Sequence, residues 1–214
     1  MLIDDWNKYL IKPRGIIFDL DGVIALTEEV HRQAFDMAFA GYDIKKYDWN
    51  KDFAGKGHRY IIDTVFGANP ANDRLIDKWV HYYQLIAANK VVSVPGVIEF
   101  IKRQIVPMII ATGSVRKSAE VVLKNLNISL LLVSMEDAPA PKPNPGIFLL
   151  AAEKINVEPK DCLVFEDSIY GIKAGKNAGM TVIALTTTHD KSVLIKEMPD
   201  LIIQDFREIK YRVF

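Results

Sequence analysis

Short apolar runs, each ending at a polar or turn residue, recur along this chain. Gly15–Phe18 runs into Asp19, residues 107–111 into Thr112-Gly113-Ser114, and residues 130–133 into Ser134. Residues 163–165 run into Glu166-Asp167, Thr181–Leu185 into a threonine run, and Leu201–Ile203 comes last. Near-continuous apolar strands, rather than alternating ones, suit a parallel sheet covered on both faces. Between them, residues 117–126 and 148–154 repeat apolar side chains at three- and four-residue spacing, which predicts helices. Strand–helix alternation of this kind predicts a doubly wound α/β fold around a parallel sheet. In such sheets the site lies outside the carboxyl ends of the strands, and the polar groups just named all fall there.

One stretch breaks the alternation. From Thr27 to Val92 no strand run stands out, but helical spacing does: Val30, Ala34, Phe35, Ala38 and Phe39; Ile61, Ile62, Val65 and Phe66; Leu75, Ile76, Trp79, Val80 and Tyr83. The pattern predicts an all-helical cap over residues 27–92, inserted into a core made of residues 1–26 and 93–214. The chain returns to the core at Pro95-Gly96. There are no internal repeats and no low-complexity segments.

Charge narrows the partners. Lys+Arg and Asp+Glu both number 27, so the formal net charge is zero. That balance gives no electrostatic footprint for nucleic acid or an anionic membrane, and an anionic partner is expected to be a small molecule recognised locally. Cys162 is the only cysteine, so an internal disulfide and a cysteine-based zinc cluster are excluded. Its apolar neighbours predict a core position. Asp4, Asp5, Asn7 and Lys8 do not read as a signal peptide, and the apolar runs fall far short of the ~20 residues that span a bilayer. A cytoplasmic protein is the expectation. Oligomeric state leaves no mark in the sequence, and a monomer is compatible with it.

The densest chemistry is Phe18-Asp19-Leu20-Asp21-Gly22-Val23. Two carboxylates two residues apart at a strand end can point into one space, where charges ~4 Å apart repel by roughly 4 kcal/mol at an effective dielectric of about 20. A cation between them converts that cost into a site, and all-oxygen ligands suit Mg²⁺. In isolation the same four residues fit a solvated Asp-Gly turn equally well.

The run from Ile17 to Ile24 resembles the first motif of the haloacid dehalogenase-like superfamily, and three further motifs follow in order. Thr112, in Ala111-Thr112-Gly113-Ser114, resembles the hydroxyl of the second. Lys142, between Pro141 and Pro143, resembles the lysine of the third. Glu166-Asp167-Ser168, with Gly171 and Ala178-Gly179-Met180 behind it, resembles the acidic fourth. The insertion resembles the cap of the β-phosphoglucomutase-like subgroup. The resemblance implies that Asp19 attacks phosphorus to form an aspartyl-phosphate. Asp21 would protonate the leaving oxygen and then take a proton from water. Thr112 would hydrogen-bond the phosphoryl oxygens, and Lys142 would stabilise the charge of the transition state. Mg²⁺ would be held by the Asp19 carboxylate, the Asp21 backbone carbonyl and Asp167, with Glu166 direct or through water. Relatives acting on carbon–halogen or carbon–phosphorus bonds lack the second aspartate, so Asp21 points to phosphate esters.

In the cap, Thr27 and His31 match a Thr/Ser-x-x-x-His pattern that faces the site entrance in the subgroup. Leu26 stands where Asp is usual and Glu29 where many phosphatases have Pro. Gly55-Lys56-Gly57-His58-Arg59 resembles the specificity loop, making Lys56 and Arg59 candidate anchors for an anionic substrate. Arg59 comes one residue later than in the mutases. Gly113 and Ser114 complete the candidate substrate contacts. Tyr82, Tyr83 and Lys78 read as packing or surface, and His81 and His189 have no metal-ligand spacing. The resemblance implies a Mg²⁺-dependent phosphatase for small phosphorylated metabolites, sugar phosphates foremost. The alternatives are a β-phosphoglucomutase-like phosphomutase and a catalytically silent regulatory protein. Ser114 is followed by Val115 rather than the Lys-Asn of the mutases, and every catalytic motif residue is present; these two facts place both alternatives behind the first.

Overall fold

The computed structural model describes residues 13–44, 47–53 and 55–209. Asp4, Asp5, Asn7 and Lys8, on which the reading of the chain start rests, lie outside the described residues, as do residues 210–214. Six strands form one parallel sheet: β1 (Gly15–Phe18), β2 (Met108–Ala111), β3 (Leu131–Val133), β4 (Cys162–Glu166), β5 (Thr181–Leu185) and β6 (Leu201–Ile203). Their spatial order is β3-β2-β1-β4-β5-β6. Every apolar run in the sequence became a strand of this sheet.

The runs are continuous because both faces are covered. Along β1, Ile16 and Phe18 join one apolar cluster and Ile17 joins the other. Along β4, Leu163 and Phe165 face one way and Cys162 and Val164 the other. Period-two pleating splits each run between two cores, so polar residues have no place inside it. On one face Phe18 stacks on Phe165 with ring centroids 5.4 Å apart, and Phe100 meets Phe165 edge-on at 5.2 Å. Cys162 is buried, as its neighbours predicted.

Residues between β1 and β2 build a helical cap region: α1 (Glu28–Ala38), a short π-helical turn (Trp49–Phe53), α2 (His58–Phe66) and α3 (Asp73–Lys90), followed by the core helix α4 (Val97–Arg103). Val30, Ala34 and Ala38 on α1 and Trp79, Tyr83 and Ala87 on α3 are spaced by four and buried. That spacing puts each set on one stripe, and the two helices pack along their stripes. Cap and core join through two adjacent strands of backbone: Leu26 N donates to Val92 O at 2.8 Å and Val94 N to Ile24 O at 2.9 Å. Of the remaining helices, α5 (Arg116–Asn125) packs against α3, α6 (Gly146–Lys154) and α7 (Ile169–Asn177) pack on the sheet, and α8 (Lys191–Leu194) follows β5. Among the described residues, no helix is long and apolar enough to cross a membrane.

Candidate active site

Four carboxyl ends of the sheet converge on one space beneath the cap. β1 delivers Asp19, β2 delivers Thr112, the loop after β3 delivers Lys142, and β4 ends on Glu166 with Asp167 next. Lys142 Nζ lies 2.7 Å from Asp19 Oδ1 and 2.7 Å from Glu166 Oε1, and it also donates to Ala111 O at 3.3 Å. One ammonium thus stands between two acids from neighbouring strands. Glu166 is fixed from its other side as well. Its Oε2 accepts from Asp167 N at 2.9 Å, Ser168 N at 2.8 Å and Ser168 Oγ at 2.9 Å, while Ser168 Oγ caps α7 by accepting from Gly171 N at 3.0 Å. Gly171 is required there, because a Cβ would collide with the Glu166 carboxylate. Gly22, at φ 72°, is required for two reasons: its left-handed backbone and the Asp167 carboxylate that a Cβ would strike.

Asp19, Glu166 and Asp167 each offer an oxygen within 4.8 Å of the others. Burial, with the Glu166 and Asp21 charges, pushes the Asp19 carboxyl up to about 7 despite the opposing pull of Lys142. Burial likewise raises Asp167 well above the ordinary range, with Glu166 and Asp19 adding to it; the Thr188 hydroxyl that donates to it is the counterweight. Lys142 moves the other way: burial disfavours its ammonium, but the Asp19 and Glu166 carboxylates outweigh that and raise it. Three buried acids with one ammonium are short of positive charge. A divalent cation fits this donor set, which is hard oxygen throughout.

Asp21 faces the cap. Its Oδ1 accepts from Thr27 Oγ1 at 2.5 Å, sits 3.2 Å from His31 Nε2 and lies 3.5 Å from the Tyr83 hydroxyl. Its Oδ2 accepts from Ser114 Oγ at 2.6 Å, with Thr112 Oγ1 at 3.5 Å. Burial works against the Asp21 charge, but the His31, Ser114 and Thr27 contacts overcome it and hold the carboxyl below its ordinary value. Thr27, His31, Thr112 and Ser114 therefore gather on Asp21, and Lys142, Glu166 and Asp167 gather around Asp19.

The two loop cations part company. Lys56 and Arg59 both border the central cavity, of about 730 Å³, which Gly113 also lines. The Arg59 guanidinium, however, pairs with Asp73, with Asp63 at 3.8 Å. Lys56 Nζ lies 3.3 Å from the Tyr60 hydroxyl and 4.5 Å from the centre of its ring. Arg59 is thus held by acids of the cap, and Lys56 is the loop cation without an acid among the described residues. Tyr83, read from the sequence as packing or surface, is buried and also touches Asp21. Glu28, Trp49, Phe53, His58 and Trp79 line the cavity too. The sequence names none of them as a site residue, although His58 lies within the stretch that resembles the specificity loop, Glu28 stands beside Thr27, and Trp79 and Tyr83 share a helical stripe.

A family model described as haloacid dehalogenase-like hydrolase matches residues 13–179. The chain belongs to the haloacid dehalogenase-like hydrolases. Among curated relatives of these hydrolases, the chain is 31% identical to validoxylamine A 7'-phosphate phosphatase of Streptomyces hygroscopicus subsp. limoneus, over 91% of this chain and 95% of that one. It is 30% identical to fructose-1-phosphate phosphatase YqaB of Escherichia coli, over 79% of this chain and 94% of that one. Among solved structures, a β-phosphoglucomutase from Clostridium difficile superposes with a TM-score of 0.77 at 24% identity, covering 93% of this chain and 94% of that one. That likeness speaks for the fold alone.

Proposed function

We propose that this hydrolase is a Mg²⁺-dependent phosphatase that releases phosphate from small phosphorylated metabolites, sugar phosphates foremost. The observation that carries the reading is the division of labour around the two aspartates. Asp19 is held by Lys142 among the acids, and Asp21 is held apart by hydroxyls and an imidazole. Relatives named as phosphatases of a sugar phosphate and of validoxylamine A 7'-phosphate support the substrate class.

In this reading Mg²⁺ would be held by the Asp19 and Asp167 carboxylates, the Asp21 carbonyl and Glu166, directly or through water, and would supply the charge screening that lets a phosphate dianion approach. The chain's own residues do the rest. An Asp19 carboxylate oxygen forms a bond to phosphorus as the bond to the leaving oxygen breaks. Asp21, which must take up a proton before this step, passes it to that oxygen, and the alcohol departs. Water then attacks the phosphorus of the aspartyl-phosphate, gives its proton to Asp21, and inorganic phosphate leaves. Lys142 and Thr112 hold the phosphoryl oxygens where charge develops. Residues 27–92 act as the cap that selects the leaving group, over a core of residues 1–26 and 93–214.

Arg116 argues against a phosphomutase. It is the first cation behind Ser114, where a mutase needs a grip on a distal phosphate, and its guanidinium pairs with Asp137. A screen of phosphorylated metabolites for Mg²⁺-dependent phosphate release tests the proposal. β-Glucose 1-phosphate with a bisphosphate primer belongs in the same screen. Isomerisation of the sugar phosphate without phosphate release would replace the phosphatase with a mutase.

A further inference from the structure

Beneath the cap, one buried polar atom has no role in the scheme above. His58, the first residue of α2, is 6% exposed, and its Nε2 has no hydrogen-bond partner among the described residues. The ring stands between His31, with centroids 5.2 Å apart, and Trp79, at 4.3 Å edge-on. Both rings and His58 border the cavity that holds Asp19 and Asp21. Burial, with His31 beside it, drives the His58 imidazole down to about 3 against the weaker pull of Asp21, so the ring is neutral. A neutral imidazole offers one donor and one acceptor. Leaving either one buried and unpaired costs about 1–3 kcal/mol, and such groups in folded proteins call for an explanation.

The surroundings say what would pair with it. Glu28 borders the same cavity, accepts from Trp49 Nε1 at 2.5 Å, and has no ion-pair partner among the described residues. Burial raises the Glu28 carboxyl above its ordinary value against the pull of His31 and the Trp49 hydrogen bond, and a carboxyl group in either state pairs with hydroxyls. Trp49, Phe53 and Trp79 supply apolar ring surface beside it, and rings of this kind cover the C–H surface of a ligand while polar groups read its edges. Ring nitrogen, carboxyl group and aromatic wall together describe a place for hydroxyls on this side of the cavity.

We propose that His58 is a specificity-determining residue whose Nε2 hydrogen-bonds a hydroxyl of the leaving group, so that the preferred substrates are monophosphates of polyols. The inference rests on the phosphatase reading and adds to it the group that recognises the alcohol. A site that pairs a buried polar atom with a substrate hydroxyl discriminates strongly against analogues lacking it, because the atom then stays unpaired.

The test compares kcat/KM for polyol monophosphates (glucose 1-phosphate, glucose 6-phosphate, fructose 1-phosphate, glycerol phosphate) with that for p-nitrophenyl phosphate, which has no hydroxyl. His58→Phe should lower the ratio of the best polyol phosphate to p-nitrophenyl phosphate by about tenfold or more, and His58→Gln, which keeps a donor and an acceptor, should restore much of it. A fall by one common factor for both substrate types, or no fall, overturns the inference and leaves the phosphatase reading standing. Absence of phosphate release from every ester by the wild-type enzyme would instead bring down the phosphatase reading. A binding measurement keeps His58 open to test in either event. In Asp19→Asn protein with Mg²⁺, the ¹⁵N resonance of His58 Nε2 should shift on adding the same polyol phosphates and stay in place with inorganic phosphate. A resonance that ignores the polyol phosphates overturns the inference directly.

Discussion

The strand-end site and the cap pocket above it solve opposite problems. Around Asp19 the polar groups are dense and hydrogen-bonded, with acids in excess: Lys142 stands between two of them, Glu166 is held by Lys142 and the start of α7, and Asp167 accepts from Thr188. In the cap pocket the polar groups are set among rings: Glu28 and Lys56 border the cavity without an ion-pair partner among the described residues, and the buried His58 Nε2 has no hydrogen-bond partner there. The first arrangement suits a reaction in which charge moves over a fixed distance. The second suits recognition of a variable leaving group. If this contrast is right, damage to the lower site should be large and blind to the substrate, and damage to the upper site small and selective.

The largest effect is expected from Asp19→Asn, which should abolish turnover of every phosphate ester. Asp21→Asn should differ. With acetyl phosphate, whose leaving carboxylate needs no proton, Asp19 should still be phosphorylated, and the phosphoryl group should accumulate because no base activates water. Mass spectrometry after acid quench, with thermal melts matched beforehand, should show one added phosphate on Asp21→Asn and none on Asp19→Asn. A phosphoryl group on Asp19→Asn would overturn the nucleophile. Chelation with EDTA should also remove activity with all substrates, and Mg²⁺ should raise the melting temperature of the wild type more than that of Asp167→Asn; full turnover in excess chelator would remove the metal from the scheme.

Lys142→Ala should rank next. Loss of a charge-stabilising donor of this kind lowers kcat by about 10²–10³-fold, and the contrast demands that the factor be similar across substrates. A loss confined to one substrate would mean that Lys142 belongs to recognition.

These two regions also differed in how far the sequence revealed them. The sheet was legible because each strand is a contiguous run split between two cores, and because the residues bearing the chemistry stand directly at the ends of those runs: Asp19 after Phe18, Thr112 after Ala111, Asp167 after Glu166. Local order in the chain there equals local order in space. The cap pocket is assembled otherwise. Glu28 comes from the start of α1, Trp49 and Phe53 from the π-helical turn, His58 from α2, and Trp79 and Tyr83 from α3. No window of sequence contains their neighbourhood, and helical periodicity marks Trp79 and Tyr83 as core without saying that the core borders a site. Arg59 illustrates the same limit. Its partner at i+4, Asp63, was visible in the sequence, but Asp73 reaches it only through the fold.

A smaller and selective effect is therefore expected at the cap loop. Lys56→Ala should alter the ranking of substrates by about tenfold, whereas Arg59→Ala, which removes an exposed set of ion pairs, should change stability by less than about 1 kcal/mol and the ranking less than Lys56→Ala does. Steady-state kinetics on one substrate panel decides it. Equal shifts from both substitutions would place Arg59, despite its ion pairs, among the substrate contacts.

The finest test of the contrast uses acid rather than substrate. His58 is held down to about 3 in the folded protein, against an unfolded value near 6.5. Between those two values the unfolded chain binds a proton that the folded one refuses, so this residue's contribution to stability falls as pH falls through about 6.5 and keeps falling toward 3. Asp19 and Asp167 act with the opposite sign, because their folded carboxyls are raised and acid favours the folded state through them. Total stability against pH therefore mixes both regions, but the difference between wild type and His58→Phe isolates the cap. Urea unfolding at pH 7.5 and pH 5.5 should show the variant gaining about 1.4 kcal/mol on the wild type across that interval. A difference that stays constant with pH would mean that His58 takes up its proton in the folded state as readily as in the unfolded one. The pocket around it would then be wet, and the separation between a charged floor and a dry ring cluster about His58 would fail.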